Sequence, residues 1–357
     1  MKDKKMNIKN QLEIYLITYN RLDKLKNTLE RILEGPIANY DIKILDNTST
    51  DGTKEYCEKF VKEHTNFTYI RNKINLGISG NIIKTMELAS KKWLWTICDD
   101  DDFNWDNWGE IEEALNSDEY DIVHTTYSEG FRSKEYAYLI NEEAFIPTCI
   151  YNTKHITPIT MQNAYAMAYT LLPHHAIGCK VINEKGKIFV PQKRCVLQGT
   201  SDKFNYIRMH KKGIFHKIDD YQILAGYVGA YKLIEDEKVR QQCNNVLCLG
   251  NNFIGSMNWF VSANPRQNLY NIFEILLSVD DNNKKEFIKL FVKRKNSDFI
   301  KVAKIITCII NKRFLITIPN FLQNIFSIKN NPVKTHKIIS ILGIKMKFKR
   351  KKKCKSL

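Results

Sequence analysis

Trp93-Leu94-Trp95-Thr96-Ile97-Cys98-Asp99-Asp100-Asp101-Asp102 is the segment from which the rest of this chain can be understood. The apolar run up to Cys98 suits a strand buried on both faces, and four carboxylates follow it with no spacer. Each close pair of such charges repels by roughly 3 kcal/mol at an effective dielectric of 20. A divalent cation removes that repulsion, and an Asp-x-Asp spacing sets two carboxylates on one side of an extended chain. Mg²⁺ or Mn²⁺ held by few protein ligands keeps coordination positions for other oxygens. Taken alone, the run also reads as a solvated acidic turn or a helix cap ahead of Trp105.

Outward from this segment, residues 12–19, 40–45 and 67–71 read as earlier strands and 121–125 as a fifth. Leu22, Leu25, Leu29, Ile32 and Leu33 recur at helical spacing until Gly35-Pro36 stops them. Helices are expected over about 53–64, with Asp51 as N-cap, and over 80–89. Strand–helix alternation at this spacing predicts βαβ units and a largely parallel sheet. Ligands bind such sheets at the carboxyl ends of the strands. Those ends carry small polar clusters: Thr18-Tyr19-Asn20-Arg21, Asp46-Asn47-Thr48-Ser49-Thr50-Asp51-Gly52-Thr53 and Asn75-Leu76-Gly77-Ile78-Ser79-Gly80-Asn81. An Asp46-Asn47 pair can meet the imide edge of a pyrimidine, and Tyr19 can stack on a base or ribose. Gly77 and Gly80 permit close backbone approach. Each cluster alone is equally a turn or a cap; their succession points to a nucleotide.

Charge divides the chain. Lys plus Arg total 55 against 39 Asp plus Glu, yet no acid follows Asp298 while fifteen basic residues do. A nearly neutral body therefore ends in a cationic tail. Within residues 334–355, Ile338, Ile339, Ile341, Leu342, Ile344, Met346 and Phe348 interleave with ten Lys or Arg. Polybasic segments with apolar neighbours are drawn to anionic membrane surfaces. A solvated tail and a nucleic-acid-binding tail are the other readings. The nine cysteines show no C-x-x-C pair, which suits reduced thiols. The polar N-terminus lacks a signal-peptide core, and no run of 18 apolar residues predicts a spanning helix. Residues 126–230 read as mixed strand and loop, and about 235–326 as helical, most clearly 267–277 and 284–293. Residues 299–326 suit an interfacial helix, and Asn330-Asn331-Pro332 a linker.

The chain resembles the family 2 glycosyltransferases of GT-A fold through L-I-T-Y-N-R (16–21), I-L-D-N-T-S-T-D-G-T (44–53), N-x-G-x-x-x-N (75–81) and W-T-I-C-D-D-D-D (95–102). The resemblance is specific over about 10–130 and weakens to about 230. It implies an α/β, Rossmann-like nucleotide-diphospho-sugar transferase domain over 1–232, with a nucleotide-sugar half (10–125) and an acceptor half (126–232). A mostly α-helical region (233–329) and a basic amphipathic tail (330–357) would follow. The donor-binding residues it implies are Thr18, Tyr19, Asn20, Arg21, Asp46, Asn47, Asn75, Gly77, Asn81, Asp99 and Asp100. Many members carry a second Asp where Asn47 stands, so the base stays open. The family's metal-binding Asp-x-Asp, for Mn²⁺ or Mg²⁺, falls on Asp99 and Asp101, with Asp100 and Asp102 one residue out of register.

A catalytic base is implied at Asp202, where Ser201 replaces the usual Glu; a helix N-cap is the plainer role for Asp202. His174 and His175 would border the acceptor pocket, unless they are structural. The implied reaction is an inverting transfer from a nucleotide-diphosphate sugar to a hydroxyl of a surface glycan, free or lipid-linked, as in lipopolysaccharide, lipooligosaccharide or capsule. The enzyme would be cytoplasmic and peripheral to the inner membrane, with residues 334–355 on anionic lipid and no nucleic acid bound. Three other readings fit the residues less well. A nucleic-acid-binding protein would spread its basic charge beyond the tail. A sugar nucleotidyltransferase would open with a Gly-rich basic loop in place of Thr18-Tyr19-Asn20-Arg21. A processive synthase would need membrane spans and a Gln-x-x-Arg-Trp motif.

Overall fold

A computed structural model of the chain describes residues 7–126, 136–198, 219–249, 326–330, 336–341 and 344–349. Contacts divide the chain into two compact units, Met1–Val279 and Asp280–Leu357. The strands of the first unit are β1 (Leu12–Thr18), β2 (Asp41–Asp46), β3 (Phe67–Arg71), β4 (Trp93–Cys98), β5 (Asp101–Phe103), β6 (Ile122–His124), β7 (Cys149–Asn152), β8 (Ile188–Phe189) and β9 (Val196–Gln198). Seven form one sheet in the order β3-β2-β1-β4-β7-β6-β8, while β5 and β9 pair as a separate ribbon. Strands β3, β2, β1 and β4 run parallel, as the alternation predicts. Strand β7 is antiparallel to both β4 and β6. The helices are α1 (Leu22–Leu33), α2 (Thr53–Glu63), α3 (Gly77–Leu88), α4 (Trp108–Asn116), α5 (Tyr136–Glu142), α6 (Pro158–Ala166), α7 (His175–Asn183), α8 (Asp219–Leu233) and α9 (Glu237–Leu249).

Every residue of β1 is buried, because a central parallel strand is covered on both faces. The one charge in that run, Glu13, keeps its place by accepting from Lys43 Nζ (2.9 Å), Ser90 Oγ (2.8 Å) and Ser90 N (3.1 Å). On α1, Leu25, Leu29 and Ile32 reach the core at helical spacing, each contributing about 1.5–3 kcal/mol of burial. Trp95 and Trp108 stack with centroids 5.6 Å apart, holding α4 to β4.

Several expectations shift. The cap position of α2 is Gly52, at φ +91°, a value glycine adopts without a Cβ penalty. Asp51 instead accepts from Thr53 Oγ1 (2.6 Å) and from Leu22 N (2.9 Å), tying the starts of α2 and α1 together. Helix α3 begins at Gly77 (φ +71°), three residues before its expected start. Among the described residues, 126–230 contain three whole helices and most of a fourth, α8, in addition to the expected strands and loops. In α7, seven of nine residues are buried, so no polar face marks its period. Helix α9 falls in the region expected to be helical; 267–277 and 284–293, and 299–325 of the expected interfacial helix, lie outside the described residues.

The second unit contains β10 (Phe326–Asn330), β11 (His336–Ile341) and β12 (Ile344–Lys349), an antiparallel sheet in that order. Asn330, expected to open a linker, ends β10; Asn331 and Pro332 lie outside the described residues. Among the described residues, no helix is long and apolar enough to cross a membrane.

Candidate active site

The polar clusters converge because their strands are neighbours. Thr18 and Asp46 are register partners across β1 and β2, and Ile17 is the partner of Cys98 on β4. The residues that follow these strands therefore share one carboxyl-terminal edge. Thr18 Oγ1 donates to Asp99 Oδ2 at 2.6 Å, linking the first cluster to the acidic run.

The four carboxylates are not equivalent. Asp99, fully buried, is ion-paired to the Arg21 guanidinium, whose Nε donates to its Oδ2 at 3.2 Å. Asp100 takes the other arm of Arg21 at 2.9 Å, with Lys24 Nζ 3.9 Å away. Asp102 is ion-paired to Arg31. Asp101 is 5% exposed, sits in no ion pair among the described residues, and accepts from Cys98 N at 2.6 Å, closing the turn from β4 into β5. Burial lifts the Asp99 carboxyl to about 6 against the pull of Arg21 and of the Thr18 hydroxyl. Burial also drives Asp101 well above the usual carboxylate range, opposed by the Cys98 N–H.

Donor atoms of Cys98, Asp100 and Asp101 lie within 4.8 Å of one another, close enough to share a divalent ion. Two carboxylates with a neighbouring thiol fit a cation of the Mn²⁺ or Mg²⁺ type through oxygen and admit softer ions through sulfur. The geometric grouping thus combines Asp101, from the expected pair, with Asp100, from the alternative register.

The second cluster is knitted into a network. Asp46 is buried and accepts from Ser49 N (2.8 Å), Tyr69 Oη (2.7 Å) and Arg71 Nη1 (2.6 Å). Asn47 donates to Asn75 Oδ1 (2.8 Å) and Gly77 O (3.1 Å), and accepts from Leu76 N (2.9 Å) and Asn72 Nδ2 (3.1 Å). Asn81 accepts from the same Asn72 at 2.8 Å. A direct base contact by Asp46 or Asn47 requires an exchange of these bonds, because their hydrogen-bonding capacity already holds the strand-end loops. Asn20, at φ +52°, accepts from Thr50 N at 2.7 Å and so joins the first cluster to the second. Tyr19 is 43% exposed at this edge, free to stack, and Ile74, Leu76 and Ile78 are exposed around Asn75 and Gly77.

The two histidines are elsewhere in character. His174 and His175 are buried at the start of α7, with the His174 Nε2–H donating to Glu143 O at 2.6 Å. Burial lowers His174 to about 4 and holds His175 well below the usual imidazole range. An acceptor contact through either ring needs this packing to open. Asp202 lies outside the described residues.

Sequence reasoning missed the partners that hold the expected residues. Tyr69 and Arg71 stand two apart on β3, hence on one face beside Asp46, which is the register partner of Arg71. Arg21 and Arg31 lie ten apart on and before α1, and Thr28 Oγ1 donates to Asp99 O at 2.9 Å. The period-2 pattern of β3 carried a signal for the first pair; the arginines carried none without the fold.

Residues 13–185 match the family model described as Glycosyl transferase family 2. An abequosyltransferase of Salmonella typhimurium is 35% identical over 104 residues, 28% of this chain and 31% of that relative. The match therefore spans about a third of the relative's length. Among solved structures, S. aureus TarS in complex with UDP-GlcNAc superposes with a TM-score of 0.50 at 11% identity, over 85% of this chain and 92% of that one, a likeness of fold. Residues 13–185 are a family 2 glycosyltransferase domain, and the fold is of the GT-A kind.

Proposed function

We propose that this family 2 domain transfers a glycosyl group from a nucleotide-diphosphate sugar to a hydroxyl of a surface glycan, with inversion at the anomeric carbon. What carries the reading is the meeting of Thr18, Asp46 and Asp99 at one carboxyl-terminal sheet edge, where ligands of such sheets bind. Thr18, Tyr19, Asn20, Asp46, Asn47, Asn75, Gly77 and Asn81 form the nucleotide cradle. Arg21, paired with Asp99 and Asp100, can pass to the phosphate oxygens of a bound diphosphate. Asp101 with Asp100 would hold Mn²⁺ or Mg²⁺, with Cys98 beside them and Asp99 and Asp102 held by arginines. Such an ion supplies charge neutralisation for the departing diphosphate.

The acceptor hydroxyl must lose its proton as its oxygen bonds to the anomeric carbon and the bond to phosphate breaks. Asp202 is the proposed base for that proton, a role that typically supplies 10²–10⁴-fold. His174 and His175 then shape the acceptor half from inside. Residues 1–232 would be the catalytic domain, and the cationic tail would hold the enzyme against the cytoplasmic face of an anionic membrane, where lipid-linked glycans are extended. No nucleic acid is involved in this reading. The test is a screen of nucleotide-sugars with Mn²⁺, read by thermal shift and by release of nucleoside diphosphate. Saturable stabilisation by one nucleotide-sugar family, with turnover on addition of a glycan, is the expected result. Absence of any shift across the panel would overturn the assignment.

A further inference from the structure

Cys98 belongs to the candidate site because Asp101 folds back on it. The Asp101 carboxylate accepts from Cys98 N at 2.6 Å, so the turn from β4 into β5 brings the two residues together. Donor atoms of Cys98, Asp100 and Asp101 then lie within 4.8 Å of one another. Among the described residues, Asp101 is buried with no cation paired to it and no partner at Oδ1. Its neighbours differ: Asp99 and Asp100 share Arg21, and Asp102 has Arg31. A buried carboxylate held by one N–H donor is costly unless an opposite charge joins it.

The thiol bears on which charge that is. Among the described cysteines, Cys98 alone is not fully buried, so an ion arriving from solvent can reach it. Mg²⁺ takes oxygen ligands, whereas thiolate sulfur favours softer ions such as Zn²⁺ and its heavier congener Cd²⁺. A coordinating thiol releases its proton to solvent as the bond from sulfur to the ion forms. With Arg21 and Lys24 alongside, a dication balances that thiolate together with Asp99, Asp100 and Asp101.

We propose that Cys98 Sγ is a ligand of the cation held by Asp100 and Asp101, making a mixed sulfur–oxygen site that takes Zn²⁺ or Cd²⁺ ahead of Mn²⁺, and Mn²⁺ ahead of Mg²⁺. The proposal rests on the carboxylate cation site of the reading above and adds the sulfur to it.

The test titrates the full-length chain, reduced and stripped of metal, with Cd²⁺ and follows the ultraviolet charge-transfer band of a cadmium–sulfur bond. Mn²⁺ binding is read separately by electron paramagnetic resonance. The difference between wild type and Cys98→Ser should be one saturable cadmium–sulfur band. Cys98→Ser and Cys98→Ala should each bind Cd²⁺ on the order of 10²-fold more weakly, the upper end of what even an outer-shell partner contributes, and Mn²⁺ at most about tenfold more weakly. Asp100→Asn should shift the same band to higher Cd²⁺ concentration, which ties the sulfur to the carboxylates. Circular dichroism checks the fold of all three variants. A band of equal size and affinity in wild type and in the Cys98 variants overturns the proposal, as does a band that Asp100→Asn leaves unmoved. Mn²⁺ binding without any band from Cys98 overturns the sulfur ligand and leaves the carboxylate site standing. A wild-type chain that binds neither ion overturns the cation site as well.

Discussion

The two sides of the central sheet bury polar groups in opposite ways. On the donor side, Asp101 apart, buried charges and amides are paired: Glu13 with Lys43, Asp46 with Arg71, Asp99 with Arg21, and Asn47 with four partners. On the acceptor side Asp121 is likewise held, by Lys154 and His155, but burial pushes Glu143, His174 and His175 toward their neutral forms. Among the described residues, Glu143 Oε2 and both ring nitrogens of His175 have no hydrogen-bond partner, and burial takes His124 down to about 3. The paired side holds a geometry that a charged ligand can address. The neutral side is a packed support whose polar groups are tolerated because they carry no charge.

The contrast can be broken most sharply at the Asp run. Asp101→Asn keeps an acceptor for Cys98 N but removes the charge; turnover should fall on the order of 10³-fold while the circular dichroism spectrum holds. Near-normal turnover at saturating Mn²⁺ would mean that Asp101 has no part in holding a cation.

On the neutral side, Glu143→Gln should raise stability as pH rises. The folded pKa of Glu143 is raised by burial, so its stability is fully present below 4.5 and is lost as pH climbs toward the folded value. Between 4.5 and that raised value the wild type loses stability that the glutamine variant keeps. Denaturant midpoints measured from pH 5 to 8 should therefore diverge in favour of the variant. Parallel curves would place a charged Glu143 in the fold.

Asp202→Asn should lower turnover by roughly 10²-fold with donor affinity retained, as for loss of a general base. Collapse of donor affinity would instead make Asp202 a structural or nucleotide-contacting residue. Asn47→Ala strips the donor-side network of its hub and should destabilise the fold by about 1–3 kcal/mol, because buried partners are left unsatisfied. Donor affinity should weaken with it, and a donor KM that stays unmoved would separate the network from the nucleotide. The smallest effect is expected of truncation after Asn330, which leaves every residue proposed for chemistry in place. Turnover on a soluble acceptor fragment should change little, and a large loss would tie the tail to the catalytic fold.

Strands β1 and β4 were legible within a residue or two because strands covered on both faces must be apolar along their length and stop at polar ends, and β2 and β3 because their shorter apolar runs are bounded by polar and turn residues. The same ends located the candidate site, from Thr18 through Asp46 to Asp99. Strand β7 was not legible: four residues placed antiparallel between β4 and β6 leave no period to read. Helix α7 escaped for the reverse reason, being buried on nearly every side.

The chain's own pattern settled the alternation of strands and helices, the order of the polar clusters and the split between a neutral body and a cationic tail, since each follows from short-range periodicity or composition. Tertiary structure alone decided that Arg21 and Arg31 take the outer carboxylates of the Asp run and that Tyr69 and Arg71 take Asp46. Those outcomes depend on which strands become neighbours and in what register, and pairing across tens of residues leaves no local trace in either partner's sequence.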